Sequence, residues 1–288
     1  MRVFSPSRLL LFLGAAFCLL PVAAAGQASE SQRGLQAFPA GRIYPAYLAD
    51  PRLPEFGLTL LQVEQSGVPD AGSPRYGLKL GGRFGLLRWG GGEGTAGPWQ
   101  IDIEAGFAGQ FDIDHSLDNL GWDGHYAFLL SRQAGERLVL QVGAKHVSGH
   151  VGDEYAERTG RRRLDATREE LALGAAWTPG VWQAYAEAGW DPEPNEDIAQ
   201  EPWRLQTGLQ RQGLFAGGQR LGWFGAANLE ALEDRDWEVD VSLQAGLIVP
   251  AAERRWRVGL QWYDGRVPLT ELAPAEESYL VLGLWLVP

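Results

Sequence analysis

Cysteine is nearly missing from this chain: among 288 residues Cys18 is the only one, and Met1 is the only methionine. Both fall in a segment that reads as a leader. Arg2 and Arg8 form a basic start, Leu9 to Leu20 is a short apolar run, and Pro21 precedes Ala23, Ala24 and Ala25 in an A-x-A cleavage pattern. Cleavage near Ala25 leaves a mature chain without disulfide or thiol chemistry. Phe17 stands before Cys18 where a lipoprotein signal needs a small residue, and the apolar run is short for an uncleaved membrane helix. No later stretch is long and apolar enough to be a transmembrane helix, so any membrane span must be built of strands. Basic residues are also outnumbered: 25 Lys and Arg stand against 36 Asp and Glu, a net charge of −11. An acidic chain, more acidic still without Arg2 and Arg8, argues against nucleic acid as a partner.

What the sequence does have is 38 glycines and 12 tryptophans at modest hydrophobicity, a composition that suits strands facing a polar interior on one side. Residues 1–25 are expected as a signal peptide, 26–54 as a Gly-, Pro- and Ala-rich periplasmic lead-in, and 55–288 as one barrel. Period-two alternation runs through the last part. In 99–111, Trp99, Ile101, Ile103, Ala105 and Phe107 oppose Gln100, Asp102, Glu104 and Gln110. Segments 237–249, 256–263, 76–86 and 203–210 alternate in the same way, fainter strands are expected near 56–64 and 221–229, and the last strand, 278–287, ends in Pro288 without the usual terminal aromatic. A soluble β-sandwich alternates too. Two details favour lipid: aromatics recur at the ends of the apolar faces (Trp99, Trp177, Trp203, Trp237, Trp256), and short turns alternate with long polar loops at 150–166, 190–202 and 264–277. The expected fold is all-β, an antiparallel transmembrane β-barrel of about twelve strands in the bacterial outer membrane. Its partners are then membrane lipids and the outer-membrane assembly machinery; the sequence gives no oligomeric state.

The polar faces carry both signs: Lys79, Arg83, Lys145, Arg204 and Arg257 against Asp102, Glu104, Glu187, Glu238 and Asp240. Pairing across the lumen predicts a plugged barrel over a wide pore, and His125 is expected to face that lumen.

Histidine is scarce, four in all, yet two lie close together. In the strand beginning at Leu138, the outward set Leu138, Leu140, Val142 and Ala144 continues through His146, Ser148 and His150. Ten residues of tilted strand rise about 25 Å, which puts Ser148 where the outer leaflet meets its headgroups. A His and a Ser two apart on one face can reach each other, so the imidazole of His146 can take the hydroxyl proton and make Ser148 a nucleophile. A third group should orient the imidazole. Setting Leu138 against Trp177 places Glu169 opposite His146, with Glu170 and Asp165 as substitutes.

His146-x-Ser148 on the lipid face of a strand resembles the active-site motif of outer-membrane phospholipase A and of the barrel-type lipid A deacylases. In those families a His-x-Ser pair and an Asn or Glu on the next strand hydrolyse lipid esters at the membrane surface; here the loop before Glu169 is longer. Separately, Phe38-Pro39-Ala40-Gly41-Arg42-Ile43-Tyr44-Pro45, Asp50-Pro51-Arg52 and the stretch His146 to Tyr155 resemble an uncharacterised bacterial family defined only as a domain of unknown function.

Plainer readings stand beside the catalytic one. The His and Ser can be hydrated residues of the barrel rim. His146 and His150, about 13 Å apart on an extended strand, cannot share a zinc ion without a bend at Gly149. Asp153 and Glu154 could bind calcium at the external loop. Gly90–Gly97 lacks the lysine and helix of a phosphate loop. Three functions follow: a structural or ligand-interacting barrel, a lipid ester hydrolase with Ser148, His146 and Glu169, and a narrow solute channel.

Overall fold

The structure, a computed structural model, describes residues 34–91, 97–164, 166–215, 221–251, 254–273 and 275–287. The expected leader and Asp165 lie outside these. After a three-residue strand β1 (Leu35–Ala37), twelve longer strands follow: β2 (Gly57–Ser66), β3 (Arg75–Trp89), β4 (Trp99–Asp112), β5 (Asp118–Gln133), β6 (Leu138–Val151) and β7 (Ala166–Trp177), then β8 (Trp182–Trp190), β9 (Trp203–Leu214), β10 (Gly222–Leu232), β11 (Val239–Ala251), β12 (Arg254–Arg266) and β13 (Glu276–Leu286). Each of these is antiparallel to its sequence neighbour, and β13 pairs with β2 from Glu277↔Ser66 to Trp285↔Gly57, which closes the sheet into a barrel of twelve strands. Closure removes the unpaired edges that an open sheet would carry. The fainter strands are present as β2 and β10, and the last strand as β13. One helix, α1 (Asp153–Thr159), sits between β6 and β7, bounded by Gly152 and by Gly160 at φ 67°, the left-handed conformation that glycine adopts without strain.

The alternation sorts the wall into two solvents. On β11, Asp240, Ser242 and Gln244 are buried while Val239, Leu243 and Leu247 are exposed; on β6, Gln141 is buried while Leu138, Leu140 and Val142 are exposed. An apolar exterior around a polar interior inverts the soluble pattern and is what a wall in hydrocarbon requires. Trp89 and Trp99 stack at 6.2 Å at the end of the short turns, and Trp190 faces Trp203 at 6.5 Å at the loop end. Among the described residues no helix is long and apolar enough to cross a membrane.

Ion pairs cross the lumen. Arg204 bonds Glu170, Glu187 and Glu230, Lys145 pairs with Glu187, and Arg83 with Glu104 at 2.8 Å. His125 faces inward and meets Glu104 at 3.2 Å. Glu238 departs from the expected interior set: the turn at Glu233–Arg235 ends the polar face early, and Glu238 pairs with Arg235 at the surface.

The chain before β2 also enters the lumen, and here expectation and structure differ. Residues 43–54, expected outside the wall as part of a lead-in, lie within it together with Glu55. Tyr47 stacks on Tyr185 at 3.7 Å and donates to Glu187; Leu48 N–H donates to Gln210, and Gln261 donates to the Ala49 carbonyl. Asp50 accepts from Gln206, Arg52 pairs with Glu230, and Glu55 with Arg257. The short apolar run Tyr44–Ala49 is buried, and the polar inward side chains satisfy the backbone groups of this irregular segment. At the loop end Val68, Leu120, Val151, Tyr155, Val267 and Leu272 form an apolar cluster over the lumen.

Candidate active site on the outer wall

The site is assembled by three neighbouring strands near the loop end. On β6 the alternation carries His146, Ser148 and His150 onto the outer face, while Lys145 and Val151 point inward. The β6–β7 register begins at Leu138↔Trp177 and sets His146 opposite Glu169 and Ser148 opposite Thr167. On the other side β5 sets Tyr126 opposite His146, Gly124 opposite Ser148 and Trp122 opposite His150. Three rows result, and their middle row holds the serine.

His146 Nδ1 lies 2.6 Å from Glu169 Oε1, and the two side chains are 17% and 35% exposed. The imidazole stacks on Tyr126, with ring centroids 4.4 Å apart and planes 20° apart. One ring nitrogen is therefore held by a carboxylate and the ring plane by an aromatic neighbour, which leaves Nε2 as the ring's free nitrogen among the described contacts. Ser148 Oγ lies 2.9 Å from His150 Nε2, and His150 in turn leans on Trp122 at 4.3 Å. Opposite Ser148, Gly124 contributes no side chain; a Cβ there would meet its nearest neighbour, the Trp122 ring, at 3.6 Å. The wall is thus recessed beside the hydroxyl, between two aromatic shoulders.

The loop after β8 supports the far side. Asp191 accepts the Glu169 backbone N–H at 3.2 Å, and Asn195 Nδ2 donates to Thr167 Oγ1 at 3.3 Å. Burial pushes the Asp191 carboxyl above the usual carboxylate range, against the lowering effect of the Glu193 and Glu169 N–H bonds.

Of the residues singled out in the sequence, His146 and Glu169 come together, and Ser148 lies two positions along the same face with its hydroxyl on His150. Glu170 faces the lumen and bonds Arg204, so it takes no part in the outer face. Asp153 and Glu154 lie in the first turn of α1, where Asp153 pairs with Arg163. Among the described residues no group of three or more His, Cys, Asp and Glu side chains could hold a metal ion, so calcium at that turn would need further donors. Sequence reasoning missed Tyr126 and Trp122, although period two along β5 puts both on the outer face. It also missed the bond between Ser148 and His150, since a hydroxyl midway between two imidazoles has no preferred side by spacing alone.

Comparison with known proteins agrees with the architecture. The chain is similar to the outer-membrane phospholipase of Salmonella typhi, described as a dimer with bound calcium: TM-score 0.56, 12% identity, 80% of this chain and 90% of that one covered. It is similar to outer membrane phospholipase A of Escherichia coli at TM-score 0.53 and 12% identity, over 80% of this chain and 92% of that one. Identity this low shows a shared barrel fold. No curated protein matches the chain. The family described as a protein of unknown function, DUF1207, matches residues 21–285.

Proposed function

Because the chain belongs to the DUF1207 family, whose description carries no activity, we propose its function from the outer-wall cluster itself: hydrolysis of acyl esters of membrane lipids. Ser148 is the nucleophile, His146 the general base, and Glu169 the carboxylate that orients the imidazole and balances its charge. The observation that carries the reading is the 2.6 Å contact between His146 and Glu169 on a surface otherwise built to meet hydrocarbon. A carboxylate and an imidazole on a lipid face are unfavourable unless paired and near the interface, and their nearest hydroxyl on the strand is Ser148.

Turning Ser148 about χ1 to another staggered rotamer moves Oγ away from His150, and the free His146 Nε2 then becomes its acceptor. Attack on an ester carbonyl sends the hydroxyl proton to Nε2, and the imidazolium so formed is met by Glu169. Collapse returns that proton to the departing alcohol, and water releases the fatty acid from acylated Ser148 by the same base. Lipid need not leave the membrane to react, since the hydroxyl stands on the wall that lipid already touches. The likeness in fold to the outer-membrane phospholipases supports this substrate class. Export with removal of the leader near Ala25, insertion by the outer-membrane assembly machinery, and loops facing out of the cell complete the proposal.

Purified, detergent-refolded protein is assayed for fatty-acid release from phospholipid and from lipopolysaccharide. Release by the native chain and its loss in Ser148→Ala, with heat-modifiable gel mobility kept, is the expected result. Equal, background-level release from both proteins removes the enzymatic reading.

A further inference from the structure

A tetrahedral intermediate on Ser148 needs a hydrogen-bond donor for its oxyanion, and removing such a donor typically costs about 10²–10³ in kcat. Hydrolases that place a serine on a turn or a helix start take that donor from the backbone. Here the wall forbids it. Ser148 is paired with Gly124 on one side and Thr167 on the other, and Gly149 with Asp123 and Ala166. Inside an antiparallel sheet the backbone N–H groups are committed to the ladders. The donor has to be a side chain on the outer face.

We propose that His150 is this donor, a catalytic residue that stabilises the oxyanion formed on Ser148. The inference rests on the lipid-esterase reading above and adds a second imidazole to it. Its Nε2 already lies 2.9 Å from Ser148 Oγ, so the oxyanion, carried on the carbon that Oγ attacks, forms beside it. The ring is held by Trp122 at 4.3 Å, which fixes its aim before substrate arrives. The two imidazoles are also unequal in a way that divides the labour. His146 has Glu169 behind it to balance a positive charge, as a base requires; among the described residues the side-chain partners of His150 are the Trp122 ring and the Ser148 hydroxyl.

The protons follow one direction. With its proton on Nε2, His150 donates to Ser148 Oγ at rest; when Ser148 turns to its other rotamer, its Oγ–H donates to His146 Nε2 and the His150 N–H stays aimed at the site. On attack, Oγ forms a bond to the carbonyl carbon, its proton passes to His146, and the carbonyl π pair moves onto oxygen. The His150 N–H donates to that oxygen, keeping its proton throughout. When the intermediate collapses the pair returns, the C–O bond to the alcohol breaks, and the alcohol takes the proton from His146.

The test compares native protein with His150→Ala, His150→Gln, His150→Phe, His146→Ala and Ser148→Ala, all refolded in detergent and checked by heat-modifiable mobility. Substrates are phosphatidylcholine in mixed micelles and a soluble p-nitrophenyl ester. Expected for His150→Ala is a kcat about 10²–10³ lower with KM changed by less than about threefold. His150→Gln, which keeps an N–H donor, recovers about tenfold of that, whereas His150→Phe, which keeps the stacking on Trp122, recovers none. The acidic limb of the pH–rate profile persists in His150→Gln and disappears in His146→Ala. A His150→Ala enzyme within threefold of native kcat overturns the proposal, as does loss of the acidic limb in His150→Gln, which would make His150 the base. Hydrolysis by Ser148→Ala at the native rate has a different meaning: it removes the serine reading itself.

Discussion

Replacing Glu169 by Gln keeps an oxygen that can accept from His146 Nδ1 and takes away only the charge. The carboxylate contributes most when His146 becomes an imidazolium, so the loss should appear in kcat. With Oε1 at 2.6 Å from Nδ1, the charge centres lie about 4 Å apart. At that separation the attraction is about 1 kcal/mol in bulk water and about 4 kcal/mol at the effective dielectric of a protein surface. Glu169 is 35% exposed and His146 17%, which places the pair between those limits, at about 2 kcal/mol, or roughly thirtyfold in rate. Glu169→Ala also frees the ring to turn, and about tenfold more should be lost, since orientation by a third group is a separate contribution. The assay is initial fatty-acid release from phosphatidylcholine micelles across pH. Since Glu169 acts through His146, its effects should vanish in a His146→Ala background. A Glu169→Gln enzyme within threefold of native, or a further thirtyfold loss from Glu169→Ala in that background, refutes the assignment.

Two predictions concern the interior. Arg204 serves Glu170, Glu187 and Glu230 at once, so Arg204→Met takes one cation from each of three buried carboxylates, which keep Arg168, Lys145, and Arg52 with Arg266, and should destabilise the barrel by about 3 kcal/mol, the low end for a broken buried pair, read from urea unfolding in lipid vesicles; a change under 1 kcal/mol would contradict the view that this arginine holds the network. In Gly174→Val a Cβ would stand 2.5 Å from Tyr44 Oη, displacing the segment that lies in the lumen, and planar bilayers should then show conductance events that the native barrel lacks; a silent variant of native stability would argue that other contacts hold the segment alone.

The wall was legible in the sequence because period two is a local signal and the two solvents act on every strand. The same signal carried the site part of the way. Once Leu138 is set against Trp177, His146 must face Glu169, and that register is found. The residues that escaped are those whose partners come from the neighbouring strand on the other side or from far along the chain. Tyr126 and Trp122 support the imidazoles only through the β5–β6 register. Residues 43–55 show no periodicity, being interrupted by Pro45, Pro51 and Pro54, and their partners stand up to 212 positions downstream, as Gln261 does from Ala49. Glu238 follows the alternation, but the turn at Glu233–Arg235 with Asp236 at φ 52° takes it out of the strand.

A chain that houses its own beginning inside its wall has a constraint on the order of its assembly. The stretch from Ile43 to Glu55 leaves the ribosome before any wall strand, yet its partners are spread across β8, β9, β10 and β12. The last strand must meet the first, at Trp285 and Gly57, with the tyrosines and Arg52 already turned inward. Zipping that seam early would shut them out and leave Glu187, Glu230 and Arg257 facing an empty bore. Closure of the ring from Trp285 to Gly57 therefore fixes the beginning of the chain inside its own wall.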